Sequence, residues 1–110
     1  MAWIFLMKSR RTKACELTPQ LKAIVEARDF GRCVICKAPG QPNAHYIARS
    51  QGGLGIEQNI VTLCPACHMA YDNGSKRSEY GEKIREYLRS RYRNWDEDKL
   101  IYDKWKGMKA

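Results

Sequence analysis

The sequence predicts an α+β fold, with two short strands and a helix at its centre and further helices on either side. Residues 60–63, Ile-Val-Thr-Leu, are rich in β-branched side chains, which favour a strand. Cys64-Pro65 then opens a helix that ends before Asn73-Gly74. After Gly74, apolar and aromatic residues recur at three- and four-residue steps, which is the spacing of amphipathic helices. At 110 residues, the chain has room for one such domain.

The N-terminal part predicts one helix after a basic segment. Residues 8–17 show no apolar periodicity, so we expect an arm there. A helix is expected from Thr18-Pro19, because threonine is a good N-cap and proline is tolerated at the first helical position. Gly31 supplies its stop. Its apolar side would consist of Leu21, Ile24, Val25 and Phe30.

The remaining elements are a hairpin and two helices. Residues 43–47 are the first strand candidate, and residues 50–57 predict a flexible glycine-containing loop before the second strand. A long helix follows Gly74, and Asp96 is expected to cap a last short helix. The long helix would pack through Tyr80, Ile84, Tyr87, Leu88 and Tyr92, and the last helix through Leu100, Ile101 and Trp105.

The formal charge of +8 arises entirely outside the central stretch. Residues 33–74 hold two basic and two acidic side chains, so each flank carries an excess of +4. This distribution favours a polyanionic partner, with nucleic acid before a membrane surface. A neutral centre between basic flanks suits a protein that grips a nucleic-acid backbone on both sides of a reacting bond. The alternative is that these cations only solvate helix faces.

The cysteines and the N-terminus predict a reducing, cytoplasmic environment. Two Cys-x-x-Cys pairs with an odd fifth thiol, Cys15, argue against a secreted disulfide scaffold. The apolar run of residues 2–7 is too short to span a membrane, and basic residues follow it rather than precede it as in a signal peptide. We expect that run to form a short strand or an arm, and Cys15 to be a free thiol.

Cys33, Cys36, Cys64 and Cys67 predict a tetrahedral zinc site. A single Cys-x-x-Cys pair could equally be a redox pair or a disulfide, but two pairs separated by 27 residues favour zinc. Four thiolates leave no open position for water, so this zinc would be structural. Its binding free energy, on the order of 10–16 kcal/mol in small zinc peptides, would help a domain of this size to fold.

Four further polar residues, His45, Asn59, His68 and Asp72, exceed what a structural zinc site needs. His68 and Asp72 stand at i and i+4, so both project from one helix face and can hold a divalent ion. The alternative is that His68 packs beside the cysteines and Asp72 is an ordinary helix-end residue. Taken singly, His45 reads as a hydrogen-bonded strand residue and Asn59 as a turn former.

Together these residues resemble the zinc-knuckle branch of the HNH endonucleases, whose core is the ββα-metal (HNH/His-Me finger) fold. The resemblance covers about forty residues and rests on the segments AHYIARSQGG and LCPACH, with Asn59 between them and Asp72 after them. It is greatest to small HNH proteins of bacteria and their phages. The family usually has Asp or His before the strand histidine, and this chain departs from the pattern with Ala44.

The resemblance implies a role for each residue. His45 would be the general base that takes a proton from the attacking water, and Asn59 would tie the loop and orient His45. His68 and Asp72 would hold one Mg²⁺ or Mn²⁺ ion, which acts as a Lewis acid. Arg49 is expected to contact a phosphate.

The departure at Ala44 leaves the ion with two protein ligands. Water and phosphate oxygens would complete its shell, which Mg²⁺ tolerates, or Asn43 would donate a further ligand. Another register would make His45 the metal ligand and leave no base at Tyr46, but the Arg-Ser-Gln-Gly-Gly segment favours the first alignment.

The leading hypothesis is a metal-dependent endonuclease that hydrolyses DNA phosphodiester bonds and leaves 5′-phosphate and 3′-hydroxyl ends. The alternatives are a non-catalytic, zinc-stabilised nucleic-acid-binding module and, with less support from the charge, a protein-interaction zinc domain. We expect a basic arm over residues 1–17, the HNH core with its preceding helix over 18–74, and basic helices of the same domain over 75–110. DNA is the expected partner, in the cytoplasm of a bacterium or a phage-infected cell, with no membrane and no organic cofactor. Monomer and homodimer both remain open.

Overall fold

The computed structural model describes residues 10–102, and its helices and strands confirm the mixed α and β composition. In chain order they are α1 (Arg10–Ala14), α2 (Pro19–Asp29), β1 (Gln41–His45), β2 (Ile60–Leu63), α3 (Pro65–Asp72) and α4 (Arg77–Arg91), with 3₁₀ turns at Arg49–Gln51 and Glu97–Leu100. Helix α1 lies within the segment expected to be an arm. The predictions for residues 2–7 and Trp105 lie outside the described residues. Within the described part of the chain, no helix is long and apolar enough to cross a bilayer.

Helix α2 begins where the sequence predicts, because Thr18 caps it. The hydroxyl of Thr18 accepts a hydrogen bond from the backbone N–H of Leu21 at 3.1 Å. The helix ends at Asp29, and Phe30 follows in the left-handed conformation with φ 59°. Gly31, the predicted stop, is also left-handed with φ 66°.

The predicted apolar side of α2 was half wrong. Leu21 and Val25 are buried against Ile60, as the four-residue spacing requires. Ile24 and Phe30, by contrast, are 47% and 80% exposed. Ile24 is turned away from the Leu21–Val25 face, and Phe30 lies beyond the helix end, where the left-handed backbone carries it off the helical stripe.

Strands β1 and β2 pair antiparallel, with Ala44 opposite Val61 and His45 opposite Ile60. The register is irregular between Gln41 and Ala44. Strand β1 begins and ends two residues earlier than predicted. It ends at His45 because the backbone groups of Ile47 bond to a side chain, that of Asn59, instead of continuing the ladder.

The sheet lies between two layers of helix, because its side chains alternate between faces. Ala44 and Val61 face the larger core, which also contains Tyr71 of α3 and Ile84 and Leu88 of α4. Ile60, on the opposite face, packs against α2. His45 is the cross-strand partner of Ile60 and therefore shares the α2 face.

The loop between the strands was expected to be flexible, but it is held at several points. The N–H of Leu54 donates to the carbonyl of Leu100 at 2.7 Å, and the N–H of Gly55 donates to that of Ala14 at 2.8 Å. At Gly53, a Cβ atom would overlap the carbonyl oxygen of Ile47, so glycine permits this close approach.

The C-terminal helix agrees with its predicted packing side. Ile84 and Leu88 are fully buried, and the predicted tyrosines pack at the edge of the same core. Asp96 caps the following 3₁₀ turn, since its carboxylate accepts the N–H of Asp98 at 3.0 Å. Leu100 is buried as expected. The expectation for Ile101 was wrong, because it is 41% exposed and pairs with Gly53 as an isolated bridge.

Candidate metal centre and catalytic residues

The four predicted zinc ligands come together in space. The sulfur atoms of Cys33, Cys36, Cys64 and Cys67 all lie within 4.8 Å of one another. One pair comes from the turn after α2 and the other from the start of α3. The Sγ atoms of Cys36 and Cys64 are 3.5 Å apart, close to the roughly 3.8 Å that four Zn–S bonds of about 2.3 Å require.

The surroundings of these sulfurs fit a thiolate-bound metal. In each pair, the backbone N–H of the second cysteine points at the sulfur of the first, from Cys36 to Cys33 and from Cys67 to Cys64, both at 3.5 Å. Burial alone would raise the pKa of Cys33, but the N–H groups directed at its sulfur lower it to about 7. The four cysteines can therefore hold a structural metal such as zinc.

His68 and Asp72 form a pair on the exposed side of α3. The Nε2 atom of His68 lies 3.1 Å from a carboxylate oxygen of Asp72, as their i, i+4 spacing predicts. Both line a shallow open groove together with Pro65, Met69 and Asn73. Within residues 10–102, the four cysteines form the one cluster of at least three side chains that could ligate a metal. His68 and Asp72 therefore offer two donors without a third protein ligand of these types beside them.

His45 lies at the end of β1, with its ring held by the backbone near α1. Its Nε2 atom is 3.0 Å from the carbonyl oxygen of Cys15. Because a carbonyl only accepts hydrogen bonds, Nε2 must carry the proton in this bond, and Nδ1 is left with a free lone pair. Cys15 thus contacts His45 through its backbone carbonyl, which no side-chain pattern could have indicated.

Three of the predicted site residues, Arg49, His68 and Asp72, lie close enough to His45 to affect its pKa. Burial lowers the pKa of His45 below its usual value. The Cys15 carbonyl and the Asp72 carboxylate oppose this lowering, whereas Arg49 and His68 add to it. Among the described residues, no hydrogen bond or ion pair joins His45 directly to His68 or Asp72.

Asn59 ties the loop to the end of β1. It is fully buried, and its side-chain oxygen accepts the N–H of Ile47 at 2.8 Å. Its amide donates to the carbonyls of Ile47 and Leu54 at 3.2 and 2.8 Å. Its own carbonyl accepts the N–H of Tyr46 at 2.8 Å, directly after His45. Arg49 is exposed in the 3₁₀ turn of this same loop.

Ala44 and Asn43 differ in what they offer a metal. Ala44 is 1% exposed and packs in the core beside Val61 and Cys33. The side-chain oxygen of Asn43 is buried and has no hydrogen-bond partner. Residues 43 and 45 lie on the same face of β1, so this unpaired oxygen is on the side of His45 rather than of Ala44.

A buried polar network around Arg28 was missed by sequence reasoning. Arg28 pairs with Asp29 at 2.7 Å and also donates to the carbonyls of Glu57 and Ile60. Tyr87 donates a short hydrogen bond to Asp29. These bonds join α2 to β2 and α4. Apart from the neighbours Arg28 and Asp29, the bonded residues lie too far apart in sequence for a local pattern to reveal them.

Comparisons with known proteins agree with this architecture. Residues 33–74 match the model of the HNH endonuclease family. Over 45 residues, the chain is 40% identical to a protein named Anaredoxin from Nostoc sp. (strain PCC 7120 / SAG 25.82 / UTEX 2576), which covers 39% of this chain. The chain spans 59% of the length of that curated relative. No solved structure matches the chain. The stretch that holds the clustered cysteines, the hairpin and α3 thus matches the HNH endonuclease family, as the sequence resemblance predicted.

Proposed function

We propose that this protein is a metal-dependent endonuclease that hydrolyses DNA phosphodiester bonds. The hairpin and α3 would form a ββα-metal core, fastened by a structural zinc on the four cysteines. The family match supports the reaction class. The single observation that carries the proposal is the fixed tautomer of His45, whose Nε2 donates to the Cys15 carbonyl and leaves Nδ1 as a base.

His45 would act as the general base. Its Nδ1 takes a proton from water, the water oxygen attacks phosphorus, and the bond from phosphorus to the 3′ oxygen breaks as that oxygen takes up a proton from solvent water. The products are a 5′-phosphate and a 3′-hydroxyl. The lowered pKa of His45 supports this role, because the ring stays neutral and able to accept a proton at neutral pH.

His68 and Asp72 would hold the divalent ion. One imidazole nitrogen and one carboxylate oxygen at 3.1 Å fit Mg²⁺ or Mn²⁺ when water and phosphate oxygens fill the other positions. When bound, such an ion supplies Lewis-acid stabilisation of the charge on the phosphate. Asn59 would position His45 by fixing the backbone of Tyr46 and Ile47 next to it.

Arg49 and the basic flanks would bind the DNA backbone. Arg49 is exposed on the loop that follows His45, and its charge acts on the His45 ring. The Arg49 guanidinium would bind a backbone phosphate next to the phosphodiester bond that is hydrolysed. The basic residues of the segments 1–17 and 75–110 would contact the duplex on either side of the core.

The test is plasmid nicking by the zinc-loaded protein with Mg²⁺ or Mn²⁺. His45→Gln is the sharpest variant, because a glutamine amide can still donate to the Cys15 carbonyl but does not act as a base. We expect wild type to convert supercoiled plasmid to the open form, and His45→Gln and His45→Ala to lose this activity while their thermal unfolding stays cooperative. Equal nicking by wild type and both variants would refute the assignment.

A second candidate is a zinc-stabilised DNA-binding module without catalysis. The observation that favours it is the buried Ala44, which leaves two metal-donor side chains where the family usually supplies three. A binder would need the cysteines and the basic flanks but not His45 and His68. DNA binding by wild type and by His45→Gln, with no metal-dependent nicking by either, would establish this alternative.

A further inference from the structure

A groove of about 240 Å³ lies beside the first cysteine pair, apart from His45 and Asp72. It is lined by the end of α2, the turn at residues 32–37 and the last turns of α4. Four of its residues, which we call the basic platform, combine an aromatic ring with three cations on exposed positions. They are Phe30, Arg32, Lys37 and Arg91.

Phe30 is an exposed aromatic ring on a constrained backbone. Its side chain is 80% exposed, which is unfavourable for so large an apolar surface in water. The backbone at Phe30 is left-handed, a conformation in which a non-glycine residue is uncommon. Two hydrogen bonds to helix carbonyls, of Ala27 and Glu26, hold the N–H groups of Phe30 and Gly31 there. The ring is therefore presented at the rim of the groove rather than packed.

The two arginines of the basic platform are partly preorganised and keep donors free for a ligand. One guanidinium nitrogen of Arg32 donates to the carbonyl of Lys37 at 3.2 Å. Arg91 donates to the carbonyl of Arg28 at 3.0 Å and lies over the ring of Tyr87 at 5.5 Å. Each guanidinium has five N–H groups, so most of its donors remain for another partner.

No free carboxylate of the groove lining neutralises these cations. Of the described residues that line it, Asp29 is the acidic one, and its side chain is fully buried. Asp29 is bound to Arg28, Tyr87 and the N–H of Thr62. The platform therefore presents a net positive field to solvent.

The first cysteine pair positions this platform. Lys37 follows Cys36 with φ 70°, and its N–H bonds to the carbonyl of Cys33 at 2.9 Å. The N–H of Cys33 in turn bonds to the carbonyl of Ala38 at 2.7 Å. A metal on the four sulfurs would lock this turn and with it the places of Arg32 and Lys37.

We infer that the basic platform binds a single-stranded segment of DNA. Two features together select this occupant. The cations complement successive phosphates, and the open face of Phe30 offers a stacking surface for an unpaired base, which a continuous duplex cannot supply. The inference rests on the proposed function in one respect, because the segment would continue from a strand whose phosphodiester bond lies at His45. It extends that function to a preferred substrate, DNA with an unpaired region next to a duplex.

The test is fluorescence anisotropy of zinc-loaded full-length protein without Mg²⁺, with a labelled single strand and a duplex of equal length. Phe30→Asn removes the ring and tolerates the left-handed backbone, and Phe30→Trp keeps a stacking surface. The double variant Arg32→Gln/Lys37→Asn removes two cations. Lys22→Gln removes an exposed cation of α2 that does not line the groove, and it is the charge control for the single variants Arg32→Gln and Lys37→Asn.

We expect Phe30→Asn to weaken single-strand binding about ten-fold with little change for the duplex, and Phe30→Trp to retain it. Loss of Arg32 and Lys37 should lower the slope of log affinity against log salt by about 1.4 for the single strand. A loss in Lys22→Gln equal to that in Arg32→Gln or Lys37→Asn, or equal effects of Phe30→Asn on both DNA forms, would overturn the inference. Tighter binding of an acidic peptide than of the strand would overturn it as well.

Failure of this inference and failure of the proposed function give different results. Wild type that nicks plasmid but shows no Phe30-dependent single-strand binding refutes the platform alone. Wild type that binds the single strand through Phe30 and never nicks with any divalent ion refutes the nuclease alone.

Discussion

The Nε2 atom of His45 lies 3.0 Å from the carbonyl oxygen of Cys15, thirty residues earlier in the chain. The carbonyl reaches the end of β1 because the adjacent residue, Ala14, is bonded to Gly55 of the inter-strand loop at 2.8 Å. These two hydrogen bonds hold the end of α1 against β1 and the inter-strand loop. It also fixes which nitrogen of the proposed base can accept a proton.

The first prediction concerns the pH dependence of nicking. Burial keeps the pKa of His45 below its usual value, so the neutral, proton-accepting ring persists to lower pH than an exposed histidine would allow. We expect the nicking rate to be flat near neutral pH and to fall with a single proton only below about pH 6.5. A rate measured across pH in constant ionic strength checks this. A midpoint above that of free histidine would contradict the assignment.

The second prediction concerns stability and the same ring. Because the folded-state pKa of His45 is lower than the unfolded one, the unfolded chain binds more protons as the pH falls below about 6.5. His45 therefore contributes full stability above that pH and loses it as the pH decreases toward the folded-state pKa. Urea unfolding at neutral and mildly acidic pH should show a smaller acid loss in His45→Gln than in wild type. Identical losses would mean that other groups control acid unfolding.

The elements that sequence predicted well are those set by neighbouring residues. Thr18 caps α2 through its own hydroxyl, and Pro65 opens α3 next to Cys64. The clustering of the four cysteine sulfurs was also predictable, since a tetrahedral zinc site requires all four together. These features need only local chemistry or one known metal geometry.

The features that sequence missed depend on distant partners. Cys15 contacts His45 through its carbonyl, and Arg28 donates to the carbonyl of Ile60 on β2 and to the hydroxyl of Tyr92, directly after α4. Phe30 is exposed because its backbone is left-handed at the end of the helix. Apolar periodicity assumes that the helix continues, so it predicts Phe30 as one more core residue. Each of these requires the folded chain before it can be seen.

The third prediction tests the metal centre. Cys64→Ser removes one thiolate, and a structural zinc contributes binding free energy, about 10–16 kcal/mol in zinc peptides, comparable to the stability of a whole domain. We expect this variant, and wild type treated with a strong chelator, to lose cooperative thermal unfolding. Cys15→Ala is the control, because its buried thiol lies outside the cluster. Metal analysis should give one zinc per chain in wild type and in Cys15→Ala, and an equal loss in the control would contradict the assigned ligands.

The fourth prediction tests whether the Asn59 side chain holds the inter-strand loop against the end of β1. Asn59→Ala leaves the partly buried backbone groups of Ile47 and Leu54 without their side-chain partner, at a cost of about 3 kcal/mol in unfolding free energy. Asn73→Ala is the matched control, because its side chain bonds only the exposed N–H of Ser75 and should cost less than about 1 kcal/mol. Denaturant unfolding of both variants measures the difference. Similar losses in the two would show that Asn59 does not hold the loop.

The fifth prediction compares two glycines that respond to alanine with opposite signs. At Gly53 the new methyl group would overlap the Ile47 carbonyl oxygen, which is backbone and cannot move without opening the loop, so Gly53→Ala should destabilise the fold severely. At Gly81, inside α4, the nearest atom would be on the Tyr71 ring at 3.6 Å, an ordinary contact. Gly81→Ala should therefore raise the unfolding free energy by about 0.5–1 kcal/mol through helix propensity. Thermal unfolding in saturating zinc checks both changes. A stable Gly53→Ala would show that residues 47 and 53 do not approach each other as closely as the loop geometry requires.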